Sequence, residues 1–243
     1  MSRGILIAVF SLVCSWAIAG QQNIFGSDSR EAITSRAFPW SAVGKLSTGC
    51  SGVLVGRNLM LTAAHCVLKS DGSGDVRSDF YGFYPNFREG KYSSSARAVR
   101  VHWGTRFPVD HRSQDWAIVE LDRNLGDHFG WMGVMDLPSA TRVSLAGYSS
   151  DFRGGETGTV HRGCYVREKT FFGLWLHDCD STRGSSGGPL YVYRNGRPYV
   201  VGIQVAEHRR GGEDSLRLNY YVRDYANIAI PSANFLRRLK QLL

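Results

Sequence analysis

Short apolar runs recur along the chain from residue 52 onward, and in most of them apolar and polar positions alternate. They are rich in Val, Ile, Leu and Tyr, and glycines separate them. Segments of this length and alternation predict β-strands. They lie at 52–55, 58–62, 117–121, 142–146, 159–166 and 174–177. Because many short strands with turn signals between them are typical of an antiparallel sandwich or barrel, we predict an all-β fold.

A β-hairpin is predicted around residue 195. Apolar runs at 190–193 and 199–205 flank the dipeptide Asn195-Gly196. Asn and Gly tolerate the positive φ values that a two-residue hairpin turn requires, so this dipeptide is the strongest short-range hairpin signal.

One helix is predicted, at the C-terminal end of the chain. Pro231 and Ser232 provide its start, with Ser232 as the N-cap. The apolar stripe of this helix consists of Phe235, Leu236, Leu239, Leu242 and Leu243. Basic residues occupy the opposite face, and a helix that packs on the body explains this pattern better than membrane contact.

Two segments have the composition of irregular structure. Residues 70–95 are rich in Gly, Ser and Asp and predict a long surface loop. Residues 124–140 contain three glycines and a proline, and we expect them to connect two halves of the molecule. The sequence shows no internal repeat, and the best division falls near residue 130.

The first nineteen residues have the pattern of a secretory signal peptide. Arg3 precedes an apolar run from Ile5 to Val13, and Ala17-Ile18-Ala19 forms a cleavage site of small residues. We expect the mature chain to start near Ile24 after loss of a short propeptide at 20–23. A lipoprotein attached through Cys14 is disfavoured because the preceding residues are a poor lipidation signal. The prediction is a secreted or periplasmic protein without membrane contact after signal removal.

The charge pattern argues against nucleic acid as a partner. The chain has 29 Lys and Arg against 21 Asp and Glu, but the basic residues are scattered and are not interleaved with aromatic ones. We therefore predict that the chain does not bind nucleic acid.

Four cysteines remain after signal removal, namely Cys50, Cys66, Cys164 and Cys179. In an exported protein an even number indicates two disulfides. Three connectivities are possible, and the pairing of sequence neighbours, Cys50 with Cys66 and Cys164 with Cys179, costs the least loop closure. A zinc site is disfavoured because no C-x-x-C pair exists.

A calcium site is also considered, in the loop after His65. Asp71, Asp75 and Asp79 resemble the start of a calcium loop, but the later glutamate is missing. We therefore predict that the protein needs neither a metal nor a cofactor.

Three segments join a reactive side chain to the end of a predicted strand. Small residues precede His65, and Cys66 follows it. Asp115 opens an apolar strand, so its carboxylate can lie at the edge of a core. Ser186 lies in the segment 184–189, where flanking glycines permit a tight turn that exposes a hydroxyl among backbone N–H groups.

These segments together resemble the trypsin and chymotrypsin superfamily. The resemblance spans residues 24–243 and implies two six-stranded antiparallel β-barrels, residues 24–130 and 131–243, with the C-terminal helix in the second. It implies a catalytic triad of His65, Asp115 and Ser186, and an oxyanion hole formed by the N–H groups of Gly184 and Ser186. His111 as a substitute base and Ser185 as the rival nucleophile are disfavoured by the motif.

Within that superfamily the chain is similar to the bacterial glutamyl-endopeptidase branch, through segments 28–30, 39–42 and 178–182. One departure is Ser185, since trypsin-like zymogens carry there the aspartate that receives a new N-terminal ammonium. Activation by that ion pair is therefore not expected.

The resemblance also suggests which residues line the substrate pocket. Asp180 matches the carboxylate at the base of the trypsin pocket and would favour Arg or Lys before the scissile bond. Gln204 matches a histidine of the glutamyl branch, which argues against glutamate. Glu207 and Asn219 match wall positions that are glycine in trypsin and would narrow the entrance.

The resemblance therefore predicts a secreted, monomeric serine endopeptidase that acts on protein or peptide substrates and cleaves after Arg or Lys. The alternative from another class is a catalytically inactive homologue that binds a partner through the same cleft. An esterase of the α/β-hydrolase form is disfavoured because helices do not alternate with strands.

Overall fold

The structure, a computed structural model, describes residues 22–137, 142–208 and 218–243, which contain sixteen strands and two α-helices. The strands before residue 130 are β1 (Gln22–Asn23), β2 (Arg30–Ala32), β3 (Val43–Leu46), β4 (Ser51–Leu54), β5 (Leu59–Thr62), β6 (Phe83–Pro85), β7 (Ala98–Trp103) and β8 (Ala117–Leu121). The later strands are β9 (Gly133–Val134), β10 (Arg142–Gly147), β11 (Thr159–Lys169), β12 (Trp175–His177), β13 (Ser181–Thr182), β14 (Pro189–Arg194), β15 (Arg197–Glu207) and β16 (Asn227–Pro231). The helices are α1 (Leu125–Phe129) and α2 (Ala233–Lys240). The predicted signal peptide lies outside the described residues.

The first barrel is a curled antiparallel sheet in the order β6-β3-β4-β5-β8-β7. Its edges meet through one bridge between Phe83 and Ala96, whose N–H groups donate to each other's carbonyls at 2.9 and 3.1 Å. Leu54, Met60 and Ile118 fill its interior without solvent exposure. The prediction that residues 70–95 are all irregular was wrong, because β6 lies there. Three residues show too little alternation to be recognised, and burial of Phe83 is what holds them.

The second barrel is closed. Its strands follow the order β10-β14-β15-β16-β12-β11, and β11 pairs again with β10. Trp175, Leu190 and Val201 form its core. The prediction of an all-β fold with two six-stranded antiparallel barrels is confirmed, with the difference that only the second closes by continuous pairing.

The predicted hairpin and the predicted helix are both present. β14 pairs with β15 up to Arg194 and Arg197, and Asn195 and Gly196 between them have φ values of 50° and 75°. In α2 the apolar stripe is buried at Phe235 and Leu239. Among the described residues no helix is long and apolar enough to cross a membrane.

Ser232 occupies the predicted N-cap position of α2, but its side chain does not cap the helix. Its side chain makes no capping hydrogen bond with α2. Instead its hydroxyl donates to the carbonyl of Met135 at 2.7 Å, because the helix start is buried against the segment that enters the second barrel.

The strands β3 to β8 form the sheet of the first barrel, whereas β9 pairs with β15 of the second barrel. The domain division near residue 130 stays a prediction. Residues 22–32 do not follow the sheets of the first barrel. β1 pairs with β13, and β2 pairs with β11. The start of the described chain is thus attached to the second barrel.

Two disulfides join sequence neighbours, Cys50 with Cys66 and Cys164 with Cys179. The first ties the start of β4 to the residue after His65. The second ties β11 to the segment that follows β12, in the core of the second barrel.

Removing the second disulfide by Cys164→Ser and Cys179→Ser should lower the free energy of unfolding by about 3 kcal/mol, since a loop of this length restricts the unfolded chain by that amount. Chemical denaturation of the purified mature protein measures the change. Reduced and alkylated wild type is the control, because it also lacks the first bond and should be less stable still. A loss below about 1 kcal/mol would contradict the chain-entropy account.

Candidate active site

His65 lies in a single turn of 3₁₀ helix, Ala64–Cys66, directly after β5. Ala63 and Ala64 are fully buried, so no larger side chain separates this turn from the barrel. The bond from Cys66 to Cys50 anchors the turn on its other side. The imidazole remains 30% exposed and faces a cleft.

Asp115 holds the His65 imidazole by two contacts. It follows a 3₁₀ turn, Arg112–Gln114, and precedes β8, with its side chain only 5% exposed. One carboxylate oxygen accepts the backbone N–H of His65 at 2.9 Å, and the other accepts from Nδ1 at 2.7 Å. The Nδ1 proton is thereby fixed, so the neutral ring presents its lone pair at Nε2.

The surroundings of His65 act on its pKa in opposite directions. Desolvation disfavours the charged imidazole and lowers the pKa, but the charge and hydrogen bond of Asp115 outweigh this effect. The negative charge of Glu207 raises the pKa further, and the positive charge of Arg77 lowers it. The resulting pKa of His65 lies above its ordinary value.

The turn that carries Ser186 passes directly against the end of β5. Gly187 has a φ of 82°, and a Cβ there would lie 2.1 Å from Thr62 Oγ1 and 3.0 Å from the backbone nitrogen of Ala63. Only glycine fits this close approach. The contact brings the turn beside His65, with Cys66 Sγ 3.6 Å from His65 Nε2 and 3.7 Å from the Ser186 carbonyl oxygen.

Ser51 joins the first barrel to this turn, a role that no pattern in the sequence indicated. Its backbone N–H donates to the carbonyl of Ser186, and its hydroxyl donates to the carbonyl of Gly184, both at 2.8 Å. The same hydroxyl accepts the N–H of Tyr148 at 2.8 Å. Ser51 is fully buried. A lone serine at the start of a strand carries no pattern that predicts such contacts.

The backbone N–H groups of residues 184–188 fall into two sets. Those of Ser185, Gly187 and Gly188 donate to carbonyls of Thr182, Gln204 and Ser185 respectively. Those of Gly184 and Ser186 form no hydrogen bond with any described residue. These are the two predicted oxyanion donors, and two such N–H groups can donate hydrogen bonds to a negatively charged oxygen.

The two adjacent serines differ in exposure. Ser185 is 2% exposed, and its hydroxyl lies 2.7 Å from the hydroxyl of Ser149. Ser186 is partly exposed, and its hydroxyl forms no hydrogen bond with the described residues, including His65. The structure thus brings the three predicted catalytic residues into one region, since Cys66 Sγ lies near both His65 Nε2 and the Ser186 carbonyl oxygen, but it shows contact only between His65 and Asp115.

Asp180 does not lie open at the base of a pocket. Its side chain is fully buried, and its two oxygens accept the backbone N–H groups of Phe25 at 2.9 Å and Ser29 at 2.8 Å. Burial is the main reason that the pKa of Asp180 is raised. This placement contradicts the predicted contact with Arg or Lys of a substrate. The prediction failed because residues 22–30 cover the carboxylate, which local sequence does not reveal.

Gln204 has a buried partner that the sequence did not indicate. Its side-chain oxygen accepts a hydrogen bond from His177 Nε2 at 2.7 Å, and its amide donates to the carbonyl of Ala206 at 2.9 Å. Burial lowers the pKa of His177 to about 4, so this imidazole stays neutral. The pair is fixed within the second barrel and leaves no charge beneath the cleft.

Glu207 and Asn219 differ in their surroundings. Glu207 ends β15, is half-buried and lies close enough to His65 to affect its pKa. Asn219 is exposed and is the second residue of the last described range. Their predicted effect on the pocket entrance stays a prediction.

A cavity of about 550 Å³ opens beside His65, between the loop after β5 and residues 108–109. Leu68, Pro108 and Val109 form apolar walls, and Arg77 lies among the polar lining residues. Arg77 pairs with Asp79 and donates to the carbonyl of His65 at 3.3 Å. The sequence predicts a surface loop after β5 and does not reveal this cavity.

Two groups of side chains contain atoms that could bind a metal ion, and the protein is predicted to need none. Cys50, His65 and Cys66 lie together, yet the two sulfurs are bonded to each other and offer no thiolate. Asp71, Asp75 and Asp79 bind Ser73, Lys69 and Arg77 respectively, so each carboxylate has its own partner.

Comparison with known proteins adds to this geometry. The family model described as Trypsin matches residues 28–228. The chain belongs to the trypsin family. Serine protease 23 of Bos taurus is 31% identical over 203 residues, covering 71% of this chain and 52% of that protein. Inactive serine protease 35 of Rattus norvegicus is 27% identical over 234 residues, covering 71% and 56%. This trypsin-family chain thus spans about half the length of the curated relatives that it matches.

Solved structures share the trypsin-family fold. A Glu endopeptidase in complex with MPD superposes with a TM-score of 0.72 at 18% identity, covering 90% of this chain and 98% of its own. The protease Anisep from Arthrobacter nicotinovorans gives a TM-score of 0.65 at 19% identity, covering 85% and 97%. At these identities the likeness concerns the fold.

The opposing charges beside His65 give a paired prediction. Glu207→Gln removes a negative charge and should lower the pKa of His65, whereas Arg77→Gln removes a positive charge and should raise it. Titration of the imidazole by NMR measures both shifts directly and requires no activity.

Asp127→Asn is the matched control, since it makes the same charge change as Glu207→Gln at a carboxylate that pairs with Arg57 on the surface. The His65 titration of this variant should stay that of the wild type. Shifts of the same sign for Glu207→Gln and Arg77→Gln would show that the electrostatic account of the cleft is wrong.

Proposed function

We propose that the chain is an exported serine endopeptidase with Ser186 as nucleophile, His65 as general base and Asp115 as the residue that orients His65. One observation carries the proposal. The Asp115 carboxylate holds His65 Nδ1 at 2.7 Å, beside a turn in which the N–H groups of Gly184 and Ser186 are unpaired among the described residues. A base of defined tautomer and two free donors are what acyl transfer requires.

Acylation starts when Ser186 Oγ attacks the carbonyl carbon of the scissile peptide bond. Nε2 of His65 accepts the hydroxyl proton, and Asp115 stabilises the imidazolium. The oxyanion of the tetrahedral intermediate accepts hydrogen bonds from the N–H groups of Gly184 and Ser186. The C–N bond then breaks as His65 returns its proton to the leaving amine, and water releases the acyl group by the same steps.

The unbonded state of the Ser186 hydroxyl is compatible with this mechanism. Because it has no hydrogen-bond partner among the described residues, rotation toward His65 Nε2 breaks no existing bond. In enzymes without substrate, catalytic hydrogen bonds are often long and tighten only in the complex. Ser185 is unsuited to the same role because its hydroxyl is buried against Ser149.

A preference for Arg or Lys before the scissile bond is not part of the proposal. Asp180 supplied that expectation, and both of its oxygens are occupied by backbone N–H groups. Export of the protein is part of the proposal. The two disulfides need an oxidising compartment, and residues 1–19 have the pattern of a signal peptide.

A catalytically inactive binding protein is the second candidate. It is favoured by three matching relatives that are named inactive serine proteases, and by the missing bond between Ser186 and His65. The His65–Asp115 pair argues against it, because a binding role does not require an oriented imidazole.

The purified mature protein and its Ser186→Ala variant should be incubated with a mixed peptide library and the cut sites identified by mass spectrometry. We expect cleavage by the wild type only, with kcat of the variant lower by about 10⁶-fold, because the nucleophile is lost. The residue before each cut gives the specificity.

Ser185→Ala is the matched control at the neighbouring position. It should retain turnover and lose some stability, since a buried hydroxyl contact is removed. Equal cleavage by the wild type and by Ser186→Ala would overturn the triad. Absence of cleavage by both, with both folded, would support the binding protein.

A further inference from the structure

The N-terminal segment, residues 22–32, lies against β13, the strand that leads to the nucleophile turn, residues 184–188. Its β1 pairs with β13, where Asn23 lies opposite Ser181. Further along, Phe25 bridges Leu218, and β2 pairs with β11. Only Arg183 separates the end of β13 from Gly184. The segment therefore contacts the backbone just before the two unpaired N–H groups.

Asp180 fixes this segment at the upstream end of β13. Its fully buried carboxylate accepts from Phe25 N–H and Ser29 N–H, which are donors four residues apart. The backbone N–H of Asp180 donates to His161 Nδ1 at 2.9 Å, so β11, which carries His161, holds the backbone of Asp180 in place. A buried carboxylate is costly unless it is hydrogen-bonded, and here the N-terminal segment provides those bonds.

Asp151 fixes the downstream end of β13. Arg30 of the N-terminal segment donates to its two oxygens at 2.8 and 2.6 Å, and the guanidinium is itself buried. The hydroxyl of Thr182, the last residue of β13, also donates to Asp151. The carbonyl of Thr182 then accepts the N–H of Ser185 at 3.0 Å. A continuous set of bonds thus runs from Arg30 to the nucleophile turn.

We propose that Asp180 and Asp151 are positioning residues of the peptidase, which use the N-terminal segment to hold β13 so that the N–H groups of Gly184 and Ser186 face the substrate carbonyl. This inference rests on the proposed function. The donors to Asp180 are internal peptide N–H groups, so the arrangement needs no terminal ammonium. Ser185, whose position receives that ammonium in trypsin-like zymogens, is bonded to Ser149 instead.

The test compares Asp180→Asn with Asp178→Asn in the protein from residue 20 onward, so that β1 of the N-terminal segment is kept. An asparagine can accept one of the two N–H groups but turns an NH₂ group toward the other. Asp178 is a matched control because it is also buried, two residues away, and also accepts a backbone N–H, that of Tyr165 at 2.6 Å. Its bonds hold β11 and not the N-terminal segment.

For Asp180→Asn we expect kcat to fall on the order of 10²-fold, since small misplacements of catalytic groups cost about that much. The loss should be equal for Arg and neutral peptide substrates, with KM little changed. Labelling of Ser186 by a fluorophosphonate probe should slow in parallel. Asp178→Asn should lower the melting temperature and leave kcat per folded molecule at the wild-type value.

Amide hydrogen exchange provides a readout that does not depend on activity. The N–H groups of Ser185, Gly187 and Gly188 are hydrogen-bonded and report on the order of the turn. Asp180→Asn should accelerate their exchange, and Asp178→Asn should not. If the wild type neither cleaves nor labels, the proposed function fails while this exchange measurement still decides the positioning role.

Thr182→Val serves if Asp180→Asn does not fold. It preserves the shape of a buried side chain and removes only the hydroxyl bond to Asp151. It should lower kcat and accelerate exchange in the same amides. Wild-type kcat and wild-type amide exchange in the folded variants would overturn the proposal. A loss of kcat confined to Arg substrates would also overturn it, because Asp180 would then contact the substrate.

Discussion

The geometry of the cleft depends on one buried serine. Ser51 opens β4 of the first barrel, yet its N–H and hydroxyl donate to the carbonyls of Ser186 and Gly184 in the second. Its carbonyl accepts the hydroxyl of Thr62 at 2.7 Å, at the end of the strand that leads to His65. Because an unpaired buried polar group costs roughly 1–3 kcal/mol, these bonds restrict the two barrels to one relative arrangement there. That restriction sets how close the turn that carries Ser186 lies to His65.

Two buried aspartates, Asp115 and Asp180, each hold a neighbouring segment by accepting two N–H groups. Asp115 accepts a backbone N–H and the ring N–H of His65, while Asp180 accepts two backbone N–H groups. In both cases a carboxylate without exposure is stabilised by donors in fixed directions, which makes it a rigid anchor. Their difference lies in the partner. An imidazole can exchange protons with a substrate, whereas an amide can only be held in place.

The trypsin-family fold alone does not decide whether the chain is active. A protein named serine protease 23 and one named inactive serine protease 35 both match it, and solved structures of the same fold share fewer than a fifth of its residues. Proteins of one fold differ in function because they carry different side chains at the active site. In this chain the proposed peptidase function rests on the oriented imidazole and on two N–H groups that have no partner among the described residues. We propose that the N-terminal segment keeps these two N–H groups in position.

The sequence by itself determined the features that depend on neighbouring residues. The strands, the turn at Asn195-Gly196 and the stripe of α2 follow from local backbone preferences and from periodic burial. His65, Asp115 and Ser186 were found because short motifs surround each of them. The pairing of sequence-neighbour cysteines follows from loop closure between nearby positions.

Only the tertiary structure decided the partners of Asp180, Ser51 and Gln204. Asp180 is 155 residues from Phe25, and Ser51 is 133 residues from Gly184, so no local pattern connects them. A buried polar side chain bonds to whichever donor the fold brings within reach, and that donor is fixed by barrel packing rather than by spacing. For this reason the same aspartate could be read from sequence as part of a pocket and yet lie beneath the N-terminal segment as its anchor.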